Sequence, residues 1–337
     1  MQRALLTDVE QIAVESVSTP RPAQGEVRVE VAACGVCGSD LHMYRGEHPI
    51  LRPPLVMGHE FVGRVVERGP GARTLAEGQR VVGIAGRGCG VCAACQAGAF
   101  NWCASLQIIG GHLAGGLAEH VVLPEEQFFP IPDSISDEQA ALIEVAAVAV
   151  HSVARAGPVA GRACLVLGAG PVGLVLLKVL RALDAGPTLA TDVSPLRRDL
   201  ALACGAGQAW HPRDESHIVA AFPDGVDVAF DCAGREESVV QALRLTRRGG
   251  TVALTAIFPE YCTLPMTVIQ RGERSLVGVQ MYQRADFETV VDLIQAGRLD
   301  LGGIVTHRLP LAQVGEAFRL LSAAEPAVGK VLVLPRA

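Results

Sequence analysis

No apolar run in this sequence approaches the roughly 20 residues that a membrane-spanning helix requires, so no membrane partner is expected. The opening residues, MQRALLTDVE, include acids and lack an apolar h-region, so no secretory signal is visible and a cytoplasmic location is expected. Basic charge is short as well. The 29 Lys and Arg stand against 35 Asp and Glu, a net charge of −6. That balance removes the electrostatic reason to expect nucleic acid or an anionic membrane surface as a partner. Charged residues make up only 19% of the chain and apolar residues 50%, the composition of a packed protein rather than a disordered one. Its 337 residues exceed one simple core and fit two domains. Ten cysteines in a chain without an export signal favour metal ligands or buried thiols over disulfides. Internal repeats and low-complexity segments are absent.

The N-terminal part reads as strands. IAVESV and EVRVEVAA alternate apolar and polar residues around the break PRPAQGE, as in a half-buried antiparallel sheet. VGRVVE and LAEHVVLPEEQFFPIP continue that pattern, and residues 136–156 are expected to form one helix capped by Ser136. From 163 onward the period changes. ACLVL is long enough for a buried parallel strand, and PVGLVLLKVLRAL follows as a helix. Strands and helices then alternate: LRRDLALACGA as helix, VDVAFDCAG as strand and loop, and EESVVQALRLTRRGG as a helix ending at glycines. TVALTAIF (251–258) and SLVGVQMY (275–282) read as strands, and the whole as a doubly wound parallel sheet. After 285 come an amphipathic helix, the strand VTHRLP, a helix at 311–323 and the strand GKVLVLP, a tail expected to complete the first domain.

Between that first strand and helix lie Gly168, Gly170 and Gly173 in G-x-G-x-x-G spacing, with Pro171 and Val172 opening the helix. Gly168 allows a tight turn, Gly170 lets backbone approach a pyrophosphate, and Gly173 lets helix and strand pack closely. The helix N-terminus then directs free N–H groups at the phosphates. Thr188–Thr191 is the next apolar run. Asp192 ends it, nineteen residues past Gly173, where a carboxylate accepts from ribose hydroxyls and repels a 2′-phosphate. NAD is therefore expected over NADP. Arg197 and Arg198 offer either a seat for a 2′-phosphate or solvated charge on a helix face.

Cys89, Cys92, Cys95 and Cys103 combine two C-x-x-C steps with a fourth thiol after a short loop. Four thiolates close tetrahedrally around zinc and leave no open position, the mark of a structural site. No Lys or Arg occurs in 89–103, which argues against a nucleic-acid zinc module. Cys37, His59 and Glu60 are candidate ligands of a second zinc. A thiolate, an imidazole and a carboxylate plus water would make an open, catalytic site. They lie on separate segments, so spacing leaves their convergence to the fold, and His59 taken alone reads more readily as a core histidine.

Taken in order, Cys37-Gly-Ser-Asp-Leu-His42, Gly58-His59-Glu60, the four-cysteine loop and GAGPVG resemble the zinc-dependent medium-chain dehydrogenases, in particular the sorbitol, butanediol and threonine dehydrogenase branch. The resemblance runs from about residue 25 to the C-terminus. It implies an α/β protein with a discontinuous, β-rich GroES-like catalytic domain (1–147 and 285–337), a Rossmann domain (148–284) and an active site in the cleft between them. It further implies that Cys37 and His59 ligate the catalytic zinc, with Glu144 standing where liver-type enzymes supply a third thiolate. Glu60 and Glu144 would alternate as ligand, or one would bind through water. Sorbitol-type relatives carry proline after this glutamate, where this chain has Val145. Ser39 matches the hydroxyl that touches substrate oxygen, His42 the imidazole that takes the proton to solvent, and Asp40 the acid that orients His59. The expected activity is hydride transfer between a polyol or secondary alcohol and NAD, with a threonine or sugar-acid dehydrogenase or a ketone reductase as alternatives. A homodimer or homotetramer is the usual assembly of such enzymes. A non-catalytic, crystallin-like dinucleotide binder would more naturally have lost Cys37 or His59.

Overall fold

Continuous apolar runs require cover on both faces, and the strand Cys164–Leu167 receives it: all four of its residues are buried in the computed structural model, which describes residues 1–48, 50–323 and 328–337. It lies inside a six-stranded sheet ordered Gln208–Trp210, Thr188–Thr191, Cys164–Leu167, Val226–Asp231, Thr246–Leu254 and Ser275–Gly278. Every neighbouring pair is parallel. The helices Pro171–Ala182, Pro195–Ala203, Glu215–Ala221, Glu236–Leu245 and Met266–Gly272 punctuate these strands, giving the expected doubly wound sheet. Strand order reverses between Cys164–Leu167 and Val226–Asp231, the crevice where such sheets bind ligands.

Three boundaries in this sheet differ from the expected ones. The helix from Glu236 ends at Leu245 rather than at the glycines, because Thr246 turns its hydroxyl back onto the Ala242 carbonyl (2.7 Å). Residues 246–250 then open the strand Thr246–Leu254, where Arg247 pairs with Asp227 of the neighbouring strand at 2.7 Å. The last strand stops at Gly278 instead of 282. Met281 takes a left-handed φ of 49°, and Tyr282 is fully buried. The single helix expected over 136–156 is two, Asp137–Ala140 and Ile143–Ala156. Ser136 caps the first through the Gln139 N–H, and the Leu142 N–H then bonds Gln139, three residues back, a tightened turn that ends it.

The N-terminal alternation forms antiparallel pairs. Gln2–Asp8 pairs with Gln11–Ser16. A seven-stranded sheet runs Val305–Pro310, Lys330–Leu334, Glu26–Gly35, Glu60–Arg68, Arg80–Gly83 and Phe128–Pro130, with His120–Pro124 also on Glu26–Gly35. One face of Glu26–Gly35 supplies Val27, Val29 and Val31 to a core shared with Phe61, Val65, Phe128, Val331 and Val333. The C-terminal strand thus enters the N-terminal sheet, pairing Leu332 with Gly35 and Val333 with Cys34.

Two compact units result, one of residues 1–144, 283–287 and 305–337, the other of residues 145–282 and 288–304. The first is discontinuous, but 288–304 belong to the second unit rather than to the expected tail. The helix Arg284–Gln295 spans this division. Its Phe287 stacks near Phe129 of the first unit (ring centroids 5.5 Å apart), while Val290 and Leu293 are buried farther along. An amphipathic period shows that a face is buried without showing in which core.

Candidate metal centres and dinucleotide site

The strand Glu26–Gly35 delivers Cys37 to the N-cap of a short helix, Gly38–Tyr44. That helix is absent from the periodicity of the sequence, and it organises the site. Asp40 accepts the Cys37 N–H (2.9 Å) and the Gly58 N–H (3.2 Å) from full burial, tying both ligand-bearing segments together. His59 follows Gly58, whose φ of 93° turns the chain into the strand Glu60–Arg68. Asp40 Oδ1 lies 3.6 Å from His59 Nδ1. On the other side of the ring, Ser39 Oγ lies 3.5 Å from Nε2.

Ligand atoms of Cys37, His59 and Glu60 all fall within 4.8 Å of one another. Glu144 is buried in the first turn of Ile143–Ala156 and is not part of that cluster. The electrostatics suit a cation. Burial opposes a charged His59, yet the Asp40 carboxylate holds its pKa well above the usual imidazole value. Burial likewise opposes an ionised Asp40, and His59 with the two backbone N–H donors brings it below the usual carboxylate value. A carboxylate that stabilises an imidazolium also stabilises an imidazole carrying a metal on its far nitrogen. Thiolate, imidazole and carboxylate donors converge here, a set that fits zinc.

His42 lies on the same short helix, where its Nδ1 is 2.9 Å from Glu47 Oε2 in an exposed pair. Glu60 has a partner the sequence did not reveal. Lys330, on the C-terminal strand, forms an ion pair with it, and each side chain is only 1% exposed. A signal was available: Lys178 and Lys330 are the only lysines in the chain.

The second set also assembles. Sulfur atoms of Cys89, Cys92, Cys95 and Cys103 lie within 4.8 Å of one another. The Cys89 N–H points at Cys103 Sγ (3.3 Å) and the Cys92 N–H at Cys89 Sγ (3.4 Å). Backbone donors at Val91 and Cys92 bring the Cys89 thiol down to about 6. Four sulfurs at this separation, with backbone N–H groups aimed at them, fit a closed zinc site.

In the other unit, Gly168 adopts φ 91° at the end of its strand, and Gly170 caps the helix Pro171–Ala182 with Pro171 at its first turn. A Cβ on Gly170 would meet nothing within 4 Å, whereas one on Gly173 would collide with the Gly168 carbonyl oxygen. The first therefore borders open space for a phosphate, and the second permits helix–strand contact, as their spacing predicts. Asp192 is buried at the end of Thr188–Thr191 and accepts the N–H groups of Ala169 (2.9 Å) and Ser194 (2.8 Å). Its carboxylate is thereby fixed beside the glycine turn. Arg198 turns onto the Asp192 and Val193 carbonyls (2.8 and 3.1 Å), while the half-buried Arg197 gives its backbone N–H to Ser194.

The chain is similar to known proteins over nearly its whole length. The model of the alcohol dehydrogenase GroES-like domain matches residues 23–133, and that of zinc-binding dehydrogenases matches 171–296. L-threonine 3-dehydrogenase of Thermococcus kodakarensis is 34% identical over 331 residues, covering 95% of this chain and 93% of that protein. Sorbitol dehydrogenase of Bacillus subtilis is 30% identical over 345 residues, covering 99% and 97%. Among solved structures, a protein of Sinorhizobium meliloti bound to NADP superposes with a TM-score of 0.91 at 33% identity, covering 99% of each chain.

Proposed function

The chain belongs to the zinc-dependent medium-chain alcohol dehydrogenases, which move hydride between an alcohol and a nicotinamide cofactor, and we propose that it oxidises a small polyol or secondary alcohol with NAD at a zinc held by Cys37 and His59. The observation that carries this reading is the convergence of Cys37, His59 and Glu60, backed by Asp40. Glu60 or Glu144 completes the donor set, and Cys89, Cys92, Cys95 and Cys103 hold a second, structural zinc. When bound, the catalytic zinc supplies a Lewis acid that acidifies the alcohol, and NAD supplies the hydride acceptor.

The protein's own groups do the rest. Asp40 keeps a proton on His59 Nδ1 and so leaves Nε2 as the donor nitrogen. Ser39, hydrogen-bonding at the same edge of the ring, receives the substrate hydroxyl proton and passes it outward. His42 takes it to solvent, with Glu47 steadying the imidazole. Gly168, Gly170, Pro171, Val172 and Gly173 present backbone to the pyrophosphate, and Asp192 accepts from the adenosine ribose.

NADH formation from a panel of polyols, diols and L-threonine, before and after zinc chelation, tests the reading. Turnover that chelation abolishes and zinc restores is the expected result. Turnover that survives verified removal of the metal at Cys37 and His59 defeats the zinc mechanism. L-threonine is in the panel because of the 34% identity to a threonine dehydrogenase, which favours that substrate as a second reading.

The NAD preference has its own test in Asp192→Ala. Losing hydrogen bonds to a charged acceptor, worth about 1.5–3 kcal/mol each, lowers kcat/KM for NAD by roughly 10–100-fold. Removing the negative charge relieves the repulsion of a 2′-phosphate, so the NADP value falls less or rises. An unchanged ratio of the two values would take Asp192 out of ribose recognition.

A further inference from the structure

In a chain with 27 arginines, lysine survives at two positions, Lys178 and Lys330, both buried. Lys330 is one of the most enclosed charges in the protein, and its ammonium meets the equally enclosed Glu60 carboxylate. The neighbouring strand leaves space for this pair. A Cβ on Gly35 would run into Glu60 Oε2 and would come within 2.8 Å of Lys330 Cε. The pair therefore fills the volume of a missing side chain, which suits a compact ammonium and not the broad fork of a guanidinium. A buried ion pair is a poor device for stability, since apolar groups of equal volume do as well or better. Its placement offers a better account. Glu60 is a member of the donor cluster with Cys37 and His59, and one of its carboxylate oxygens is held by Lys330.

We propose that Lys330 is a positioning residue that restrains Glu60 from closing onto the metal, keeping one coordination position free for substrate. This rests on the assignment of a zinc to Cys37 and His59 made above. Glu60 can bind the metal fully only by leaving a cation that water cannot reach to solvate, and separating such a pair is unfavourable. The carboxylate that completes the resting site is then Glu144 or a water's worth of open space, with Glu60 kept in reserve. The open question of which glutamate serves is settled, on this view, by a third residue.

The test compares wild type, Lys330→Met and the double variant Lys330→Met/Glu60→Gln by zinc release to a chelator and by the visible spectrum of the cobalt-substituted proteins. Wild type must first show two zincs, one of which Cys37→Ser removes. If it does not, the metal assignment itself fails, and the inference falls with it before any lysine variant is compared. With the metal in place, Lys330→Met frees Glu60 to become a ligand. Zinc release should slow by on the order of tenfold, and the cobalt bands should weaken as coordination number rises. The double variant, which removes both charges, should return to the wild-type release rate and spectrum. A Lys330→Met protein with wild-type release and spectrum overturns the proposal. If the single variant fails to fold, the double variant still decides. Faster metal release and an altered spectrum there would show that Glu60 is an ordinary resting ligand and that nothing restrains it.

Discussion

Cys37→Ser is expected to lower kcat/KM for the best alcohol by about three to five orders of magnitude and to reduce zinc from two ions per chain to one. Cys37 supplies the one sulfur in the cluster with His59 and Glu60. A serine hydroxyl in its place is neutral at the pH of the assay and a weak zinc ligand, so the ion is held by one imidazole and at most one carboxylate. Losing the metal removes several kcal/mol of stabilisation of developing negative charge, and each 1.36 kcal/mol is a factor of ten in rate. The fold should survive. Cys37 occupies a helix N-cap whose backbone N–H is satisfied by Asp40, so that contact does not depend on its sulfur. Metal analysis with the rate in one preparation checks the result. A variant that keeps two zincs, or that keeps wild-type kcat/KM with one, would remove Cys37 from the catalytic centre.

Cys92→Ser should act in the opposite way, on structure before chemistry. Between residues 89 and 103 only Ala99, Asn101 and Cys103 are buried, while Val91 and Trp102 are 77% and 58% exposed. Such a segment has almost no apolar area with which to offset its ordering entropy. Its regular structure is a four-residue helix, Ala93–Gln96, and one turn at Phe100–Trp102. On the proposed zinc assignment the four sulfurs hold it through the metal, and structural zinc sites supply about 10 kcal/mol or more of apparent binding free energy. Removing one thiolate should raise proteolytic cleavage between 89 and 103 by at least about a hundredfold, equivalent to roughly 2.7 kcal/mol of lost protection. Zinc content should again fall by one ion, now with the catalytic ion retained. A loop that remains as resistant as wild type would show that packing holds it after all.

Much of this was readable in the residues, for reasons that differ from element to element. The strand Cys164–Leu167 and the glycine turn stand out because a buried parallel strand and a close helix contact tolerate so few side chains. The four-cysteine loop stands out because thiols are costly to leave on a loop without a purpose. Helix ends were harder. Leu245 and Ala140 end their helices through a threonine hydroxyl and a tightened turn, events of one residue that a periodic pattern averages away. The short helix Gly38–Tyr44 escaped because seven residues with two buried side chains have no periodicity to read. Lys330 escaped for another reason. It acts from the far end of the chain, and only strand pairing brings it to Glu60. Composition held a hint of it, since lysine is so scarce here, but scarcity identifies a residue without its partner.

That strand pairing has a consequence in time. Residues 330–334 are synthesised after the entire parallel sheet, yet they complete the sheet that carries Cys37 and His59. The nascent dinucleotide unit needs nothing later than residue 304, so it can fold while the first unit waits with the Cys34–Gly35 end of the strand Glu26–Gly35 unpaired on one edge. Contacts spanning nearly three hundred residues form last and slowest. Until they form, Glu60 has no ammonium beside it. On the restraint proposed for Lys330, a metal that arrives in that interval meets an unrestrained carboxylate, and docking of residues 330–334 is what frees the coordination position.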